Sequence, residues 1–106
     1  MKTVLIENWN NKLECDVFIH IAQDPGRMIL GMELPLQVMV NDGKDRMFEA
    51  ELVDLLRIDN LEFIPSILTY ASHGVDRDGY LQMKKKHDGE KWLQNEVAVY
   101  VYRRLR

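Results

Sequence analysis

The sequence predicts an α+β domain, built as a small curled antiparallel sheet or β-barrel with two short helices packed over one opening. Three observations predict it. Residues 34–58 read as two alternating stretches joined at Asn41-Asp42-Gly43-Lys44, and an Asp-Gly pair suits the primed hairpin turns that match strand twist. Residues 65–87 switch to a helical reading, punctuated by Gly74 and Asp76. Residues 96–103 then place apolar side chains on both faces, Val97/Val99/Val101 on one and Ala98/Tyr100/Tyr102 on the other; a strand covered on both sides needs that pattern. Hairpins followed by helices, rather than alternating with them, give α+β.

Taken in order, Thr3-Val4-Leu5-Ile6-Glu7 is a short strand, because β-branched and apolar residues dominate it. Asn8 to Lys12 is turn-rich, with Trp9 set among polar neighbours: its ring either folds back on the core or is an exposed contact for a partner or a second copy. Leu13 to Ile21 is the second strand, with Cys15, Val17, Ile19 and Ile21 on one face and Glu14, Asp16, Phe18 and His20 on the other. Gln23-Asp24-Pro25-Gly26 is a turn, and Arg27-Met28-Ile29-Leu30 reads as extended. Leu34 to Val40 is the third strand, with Pro35 keeping its start at an edge. Arg46 to Ile58 is the fourth; Leu55-Leu56 breaks its alternation, so a bulge is expected near Asp54. Asp59-Asn60-Leu61-Glu62 resembles a capping box, yet Pro65 cannot sit inside a helix begun there. A turn at 59–63 and a helix from 65 to 72 follow, ended by Gly74. Asp76 caps a second helix over 77–87, with Val75 and Tyr80 as a hydrophobic staple and Lys84-Lys85-Lys86 at its dipole-favoured end.

The chain has 106 residues, 46% hydrophobic and 29% charged, which suits one folded domain over 1–106 and excludes a disordered tail. No apolar run approaches the roughly 18 residues of a membrane span. Met1 to Ile6 starts like a signal peptide, but Glu7, Asn8, Asn10 and Asn11 interrupt the apolar core such a peptide needs. Cys15 is the only cysteine, which excludes an internal disulfide framework and fits a reducing, cytoplasmic setting. Charge is uneven: residues 1–76 carry 6 Lys+Arg against 13 Asp+Glu, and residues 77–106 carry 8 against 4. The basic C-terminal third either offers an anion-attracting surface or pairs with the acidic body.

A family resemblance emerges at Gly31-Met32-Glu33-Leu34-Pro35-Leu36-Gln37-Val38. This looks like the glycine, acid, then strand entry of PUA-like domains, in particular the ASCH group, where it reads G-D-x-L-x-V. Phe48-Glu49-Ala50-Glu51-Leu52, the two helices around Gly74 and the closing strand Val97 to Tyr102 complete a layout over residues 31–104. The resemblance implies a small barrel with a cleft between barrel and helices, used for RNA or a modified nucleoside. Some ASCH proteins resemble amidohydrolases of acylated cytidine, with a G-x-K-x-x-T-x-R motif and a later acid. Here Glu14 to His20 has neither the lysine nor the threonine, His20 falls where the arginine would, and the later acid's region reads Ser72-His73-Gly74. That catalytic set is not carried over.

The densest polar cluster is Ser72-His73-Gly74-Val75-Asp76-Arg77. The second helix's N-terminus and Arg77 suit a phosphate, although Asp76 already takes the anion's place as a cap. The lysines of 84–86 and the aromatic rings of Trp92, Tyr100 and Tyr102 suit a nucleic acid strand, unless the tyrosines pack in the core. His20, His73 and His87 show no metal-ligand spacing, and His20 is expected to pair with a nearby carboxylate. The function expected is therefore a non-catalytic binding module for a nucleotide or short RNA, with Arg27, His73, Arg77, Tyr80 and Lys84 as ligand-binding candidates and with no catalytic residue, metal or cofactor. The alternatives are a small hydrolase of a modified nucleoside using His73 or His20 as base, and an interaction module that dimerises through Trp9 or the edge at Leu34-Pro35-Leu36.

Overall fold

Five strands form one sheet in the order β1-β3-β4-β5-β2, in a computed structural model that describes residues 2–23, 33–89 and 96–105. They are β1 (Lys2–Leu5), β2 (Val17–Gln23), β3 (Leu36–Asn41), β4 (Met47–Ile58) and β5 (Val97–Arg104). The fold is α+β. The turn expected at Gln23 to Gly26 and the extended reading of 27–30 lie largely outside the described residues.

The sheet is mixed rather than antiparallel throughout. β1 runs parallel to β3, with Thr3 opposite Met39. The reason is connectivity: the chain leaves β1 for β2 at the opposite edge before β3 returns beside β1, and parallel neighbours need such a crossover. Consequently β3 lies between β1 and β4, and the edges are β1 and β2. At Leu34 to Leu36 one side stays open among the described residues: Leu36 pairs with Leu52 of β4, while the pairing with β1 begins only at Val38.

β2 begins at Val17, later than the alternation suggested, because Trp9–Glu14 forms a 3-10 turn. Asn10 and Asn11 both take φ of 55°, a left-handed conformation that asparagine tolerates better than most residues. Asn8 Oδ1 accepts a hydrogen bond from the Leu13 amide at 2.8 Å. The turn thus drives Leu13 fully into the core; its apolar character marked burial, not a strand.

The hairpin between β3 and β4 forms as its sequence predicts. Gly43 takes φ of 82°, and Asp42 Oδ1 accepts from the Lys44 amide at 2.8 Å. The bulge is also present, as a register shift between Leu52 and Asp54.

β5 is central, antiparallel to both β4 and β2. Its two apolar faces feed two cores. Ala98, Tyr100 and Tyr102 join Ile6, Leu13, Phe18, Val40 and Phe48 on one side. Val97 and Val99 join Ile19, Ile21, Leu61, Ile64 and Tyr80 on the other. The helical segment covers this second face: a short 3-10 turn at Leu61–Phe63, then α1 (Ser66–His73) and α2 (Arg77–Asp88). Asn60 caps the 3-10 turn through the Glu62 amide. Pro65 precedes α1, where its missing N–H costs nothing. Gly74, at φ 74°, ends it, and Asp76 caps α2 by accepting from the Gly79 amide at 2.8 Å. Among the described residues no helix is long and apolar enough to cross a membrane.

The basic C-terminal strand is partly consumed in holding the fold. Arg103 pairs with Glu51 across β4 and β5, and Arg57 pairs with Glu96. Arg104 donates to the Leu13 carbonyl at 2.6 Å and lies 4.4 Å over the Phe48 ring. Tyr100 and Tyr102 are buried, so neither is open for a base to stack on.

Candidate functional site

A cleft of about 360 Å³ opens where the edge strand β2 meets the 9–14 turn and the two helices. The turn contributes Trp9 and Lys12, β2 contributes His20 and Ile21, and α1 ends in it with His73. Met83, Lys84 and His87 come from α2, three and four residues apart and hence on one helical face. Leu5 and Glu7, at the end of β1, close the remaining side.

The local chain chemistry explains why these groups meet. At Gly74 a Cβ atom would stand 2.7 Å from Asn10 Nδ2 and 2.8 Å from Asn10 Cγ. Only a residue without a side chain lets the turn seat so closely on the end of α1. That contact brings the Trp9 ring over His73, stacked at 5.7 Å between centroids and 27° between planes. His73 in turn meets the buried Tyr80 edge-on at 5.0 Å. One turn further along α2, the Lys84 ammonium lies 5.8 Å over the same Tyr80 ring. On the sheet side His20 stacks on Tyr100 at 6.3 Å.

Lys12 is the least expected member. Its residue is only 4% exposed, and Nζ donates to Ser72 Oγ at 3.3 Å. Ser72 is itself fully buried. Burial pushes the Lys12 amine down from 10.5 to about 8, with Glu7 opposing the fall. Burial first, and then the charges of Lys12 and Lys84, push His20 down from 6.5 to about 4. His73 falls to about 4 from the same causes, with His20 adding to them. At neutral pH the cleft therefore holds two uncharged imidazoles, a largely protonated Lys12 and the Lys84 ammonium, against the carboxylate of Glu7. His73 Nδ1 is buried without a hydrogen-bond partner among the described residues.

Of the candidates read from sequence, His73 and Lys84 line this cleft. Tyr80 is fully buried and supports both from behind. Arg77 does not join them. It is exposed at the start of α2, its amide donates to Ser66 Oγ at 3.1 Å, and the Asp76 carboxylate holds the Gly79 amide; an anion there would meet donors already used and a carboxylate. Arg27 lies outside the described residues, as does Trp92. Among the described residues His20 makes none of the carboxylate pairing expected of it; its neighbours there include Tyr100 and the two lysines. Trp9 combines both of its readings, 51% exposed yet stacked on His73.

Lys12, Glu7, Leu5, Met83 and His87 were not legible as site residues. The three histidines share no sequence spacing, yet β2 supplies His20 and the two helices supply His73 and His87 to one cleft. Among the described residues no group of three or more His, Cys, Asp or Glu side chains could hold a metal ion. A second groove, about 680 Å³, shares Leu5, Glu7 and Trp9 with this cleft and reaches the β3–β4 hairpin, where Asp42 and Lys44 line it. No protein-family model matches the chain, and no curated protein or solved structure matches it either.

Proposed function

We propose that the chain is a non-catalytic binding module that holds a nucleotide or a short RNA segment in the cleft between sheet and helices. One observation carries the reading: a half-exposed aromatic ring, Trp9, and two cationic amines, Lys12 and Lys84, line the same small cleft. A base stacks on the first and a phosphate is neutralised by the second, the two contacts that single-stranded nucleic acid requires. The volume, about 360 Å³, lies near the lower end of the roughly 300–1,000 Å³ range of ligand sites. That favours a mononucleotide or a strand end over a long strand. The net charge of −3 also disfavours a long polyanion. The order of hairpin, two helices and closing strand supports a relationship to PUA-like domains, with a curled sheet as its frame.

The test is calorimetric titration with AMP and with a short oligouridylate at low and at high salt. Binding that weakens with salt, and that falls about tenfold in Lys84→Met, is expected, since a charge-assisted contact is worth about 1.4 kcal/mol or more. Absence of binding by both probes, or binding indifferent to salt, overturns the reading.

A second reading is favoured by the two uncharged imidazoles that line the same cleft as Glu7. A neutral histidine can accept a proton, though one lowered to about 4 does so weakly, and a small hydrolase of a modified nucleoside is the reaction it would serve. Its acidic limb falls near pH 4, where His20 and His73 take up protons, and not at the usual histidine value. Cleavage of an acylated nucleoside with that profile is its signature; no cleavage across such a panel removes it.

A further inference from the structure

We propose that Lys12 is a reactive amine, placed to condense with a small aldehyde entering the cleft and to hold it as an imine. This goes beyond the nucleotide reading and does not rest on it. It needs only that the cleft admit a small molecule.

Four observations carry it. Lys12 lines the cleft while being almost wholly withdrawn from bulk water. Its Nζ is tethered by the buried Ser72 hydroxyl at 3.3 Å, which fixes the direction of a side chain that would otherwise sample many rotamers. No carboxylate stands within ion-pair distance of it among the described residues, although Glu7 acts on it from further away. Two imidazoles, His20 and His73, line the same cleft, both uncharged at neutral pH. A desolvated lysine lacking a close counter-ion is the environment in which an amine becomes a nucleophile near neutral pH.

The chemistry balances without an oxidant or reductant. The neutral amine adds to the carbonyl carbon, forming a carbon–nitrogen bond and an alkoxide. An imidazole takes a proton from the nitrogen and returns one to the oxygen. The carbon–oxygen bond then breaks, the amine's second proton passes to the departing hydroxyl, and one water leaves as the imine forms. Lys84 offers a charge that favours an aldehyde carrying a phosphate over a neutral one.

The experiment treats the full chain with glycolaldehyde phosphate, and separately with glycolaldehyde, at about pH 8. Cyanoborohydride traps any imine as a stable secondary amine, and peptide mass mapping locates it. Lys12 is expected to label about tenfold or more faster than the exposed Lys2 and Lys44, because an ordinary lysine is almost entirely protonated at that pH. Labelling by both aldehydes supports the inference and counts against an anion role for the cleft; preference for the phosphate ester supports both. Lys12→Arg, which keeps the charge, is expected to abolish labelling at that peptide while leaving the circular dichroism spectrum unchanged. Labelling of Lys12 no faster than Lys2 and Lys44 with either probe overturns the inference, whatever the nucleotide titrations show.

Discussion

Replacing His20 by phenylalanine tests the electrostatics of the cleft directly. His20 faces Lys12 from the 9–14 turn, Lys84 from α2, His73 from α1 and the Tyr100 ring from β5. Each cation, together with burial, opposes its protonation in the folded chain. The unfolded chain carries no such opposition and takes up the proton near 6.5, whereas the folded chain waits until about 4. The stability tied to this group is therefore whole above 6.5 and is lost as pH falls through that window to about 4. At about 1.4 kcal/mol per pH unit, the window is worth about 3 kcal/mol. Phenylalanine keeps a ring against Tyr100 but has nothing to titrate. Urea unfolding followed by circular dichroism at about pH 7 and about pH 4 should show the parent losing about 3 kcal/mol more than His20→Phe over that interval. Carboxylates that titrate in the same range affect both proteins alike, so the difference reports His20 together with its lesser effect on His73. Equal losses in the two proteins would refute the account of a histidine held neutral by burial and by two lysines.

Gly74→Ala should destabilise by about 1–2 kcal/mol in the same unfolding assay, because alanine disfavours the left-handed φ and its methyl group meets Asn10. The same substitution should alter Trp fluorescence, since it lifts the Trp9 turn away from His73; an unchanged spectrum would contradict the seating of the turn on α1. Arg104→Ala should cost about 1–3 kcal/mol, as it removes a charged donor from the Leu13 carbonyl and a guanidinium from the Phe48 ring. A cost within error of zero would mean that the 9–14 turn holds its place without β5.

Much of the frame was legible because local chemistry decides it. Asp42-Gly43 fixes its own turn, Gly74 and Asp76 stop and restart helices, and two apolar faces on β5 require cover on both sides. What was not legible depends on contacts remote in sequence. Leu13 looked like a strand residue because period-two alternation does not distinguish a strand from a turn that buries one apolar side chain. The parallel pairing of β1 with β3 follows from where β2 goes, and no residue in Lys2–Leu5 announces that. Lys12 carried no signal at all: a lysine in an asparagine-rich turn is ordinarily solvated, and only the left-handed pair Asn10-Asn11 turns it toward Ser72. Ser72 and His73 stood out in the sequence only as neighbours in the densest polar cluster. On a helix, neighbours point about 100° apart, and here Ser72 receives Lys12 while His73 meets Trp9 and Tyr80.

The buried amine is also the least economical feature of the chain, and that bears on what the cleft is for. A fall from 10.5 to about 8 means that below pH 8 the fold gives up about 3 kcal/mol that it would keep above 10.5, where the amine is neutral in both folded and unfolded chains. The charge-assisted hydrogen bond from Nζ to Ser72 Oγ, long at 3.3 Å, returns about 1.5 kcal/mol, less than that loss. An apolar side chain of similar length would fill the same space without that loss, as replacements of buried charges often do. Lys12→Met should therefore leave the protein as stable as its parent or more so at neutral pH, with any gain vanishing above about pH 10.5 in the same unfolding assay. If it does, packing does not explain the lysine, and its role must be sought in what enters the cleft: an anion met by its charge, or a carbonyl met by its lone pair. If instead Lys12→Met unfolds the chain, the amine is a structural strut and both readings of the cleft lose their main support.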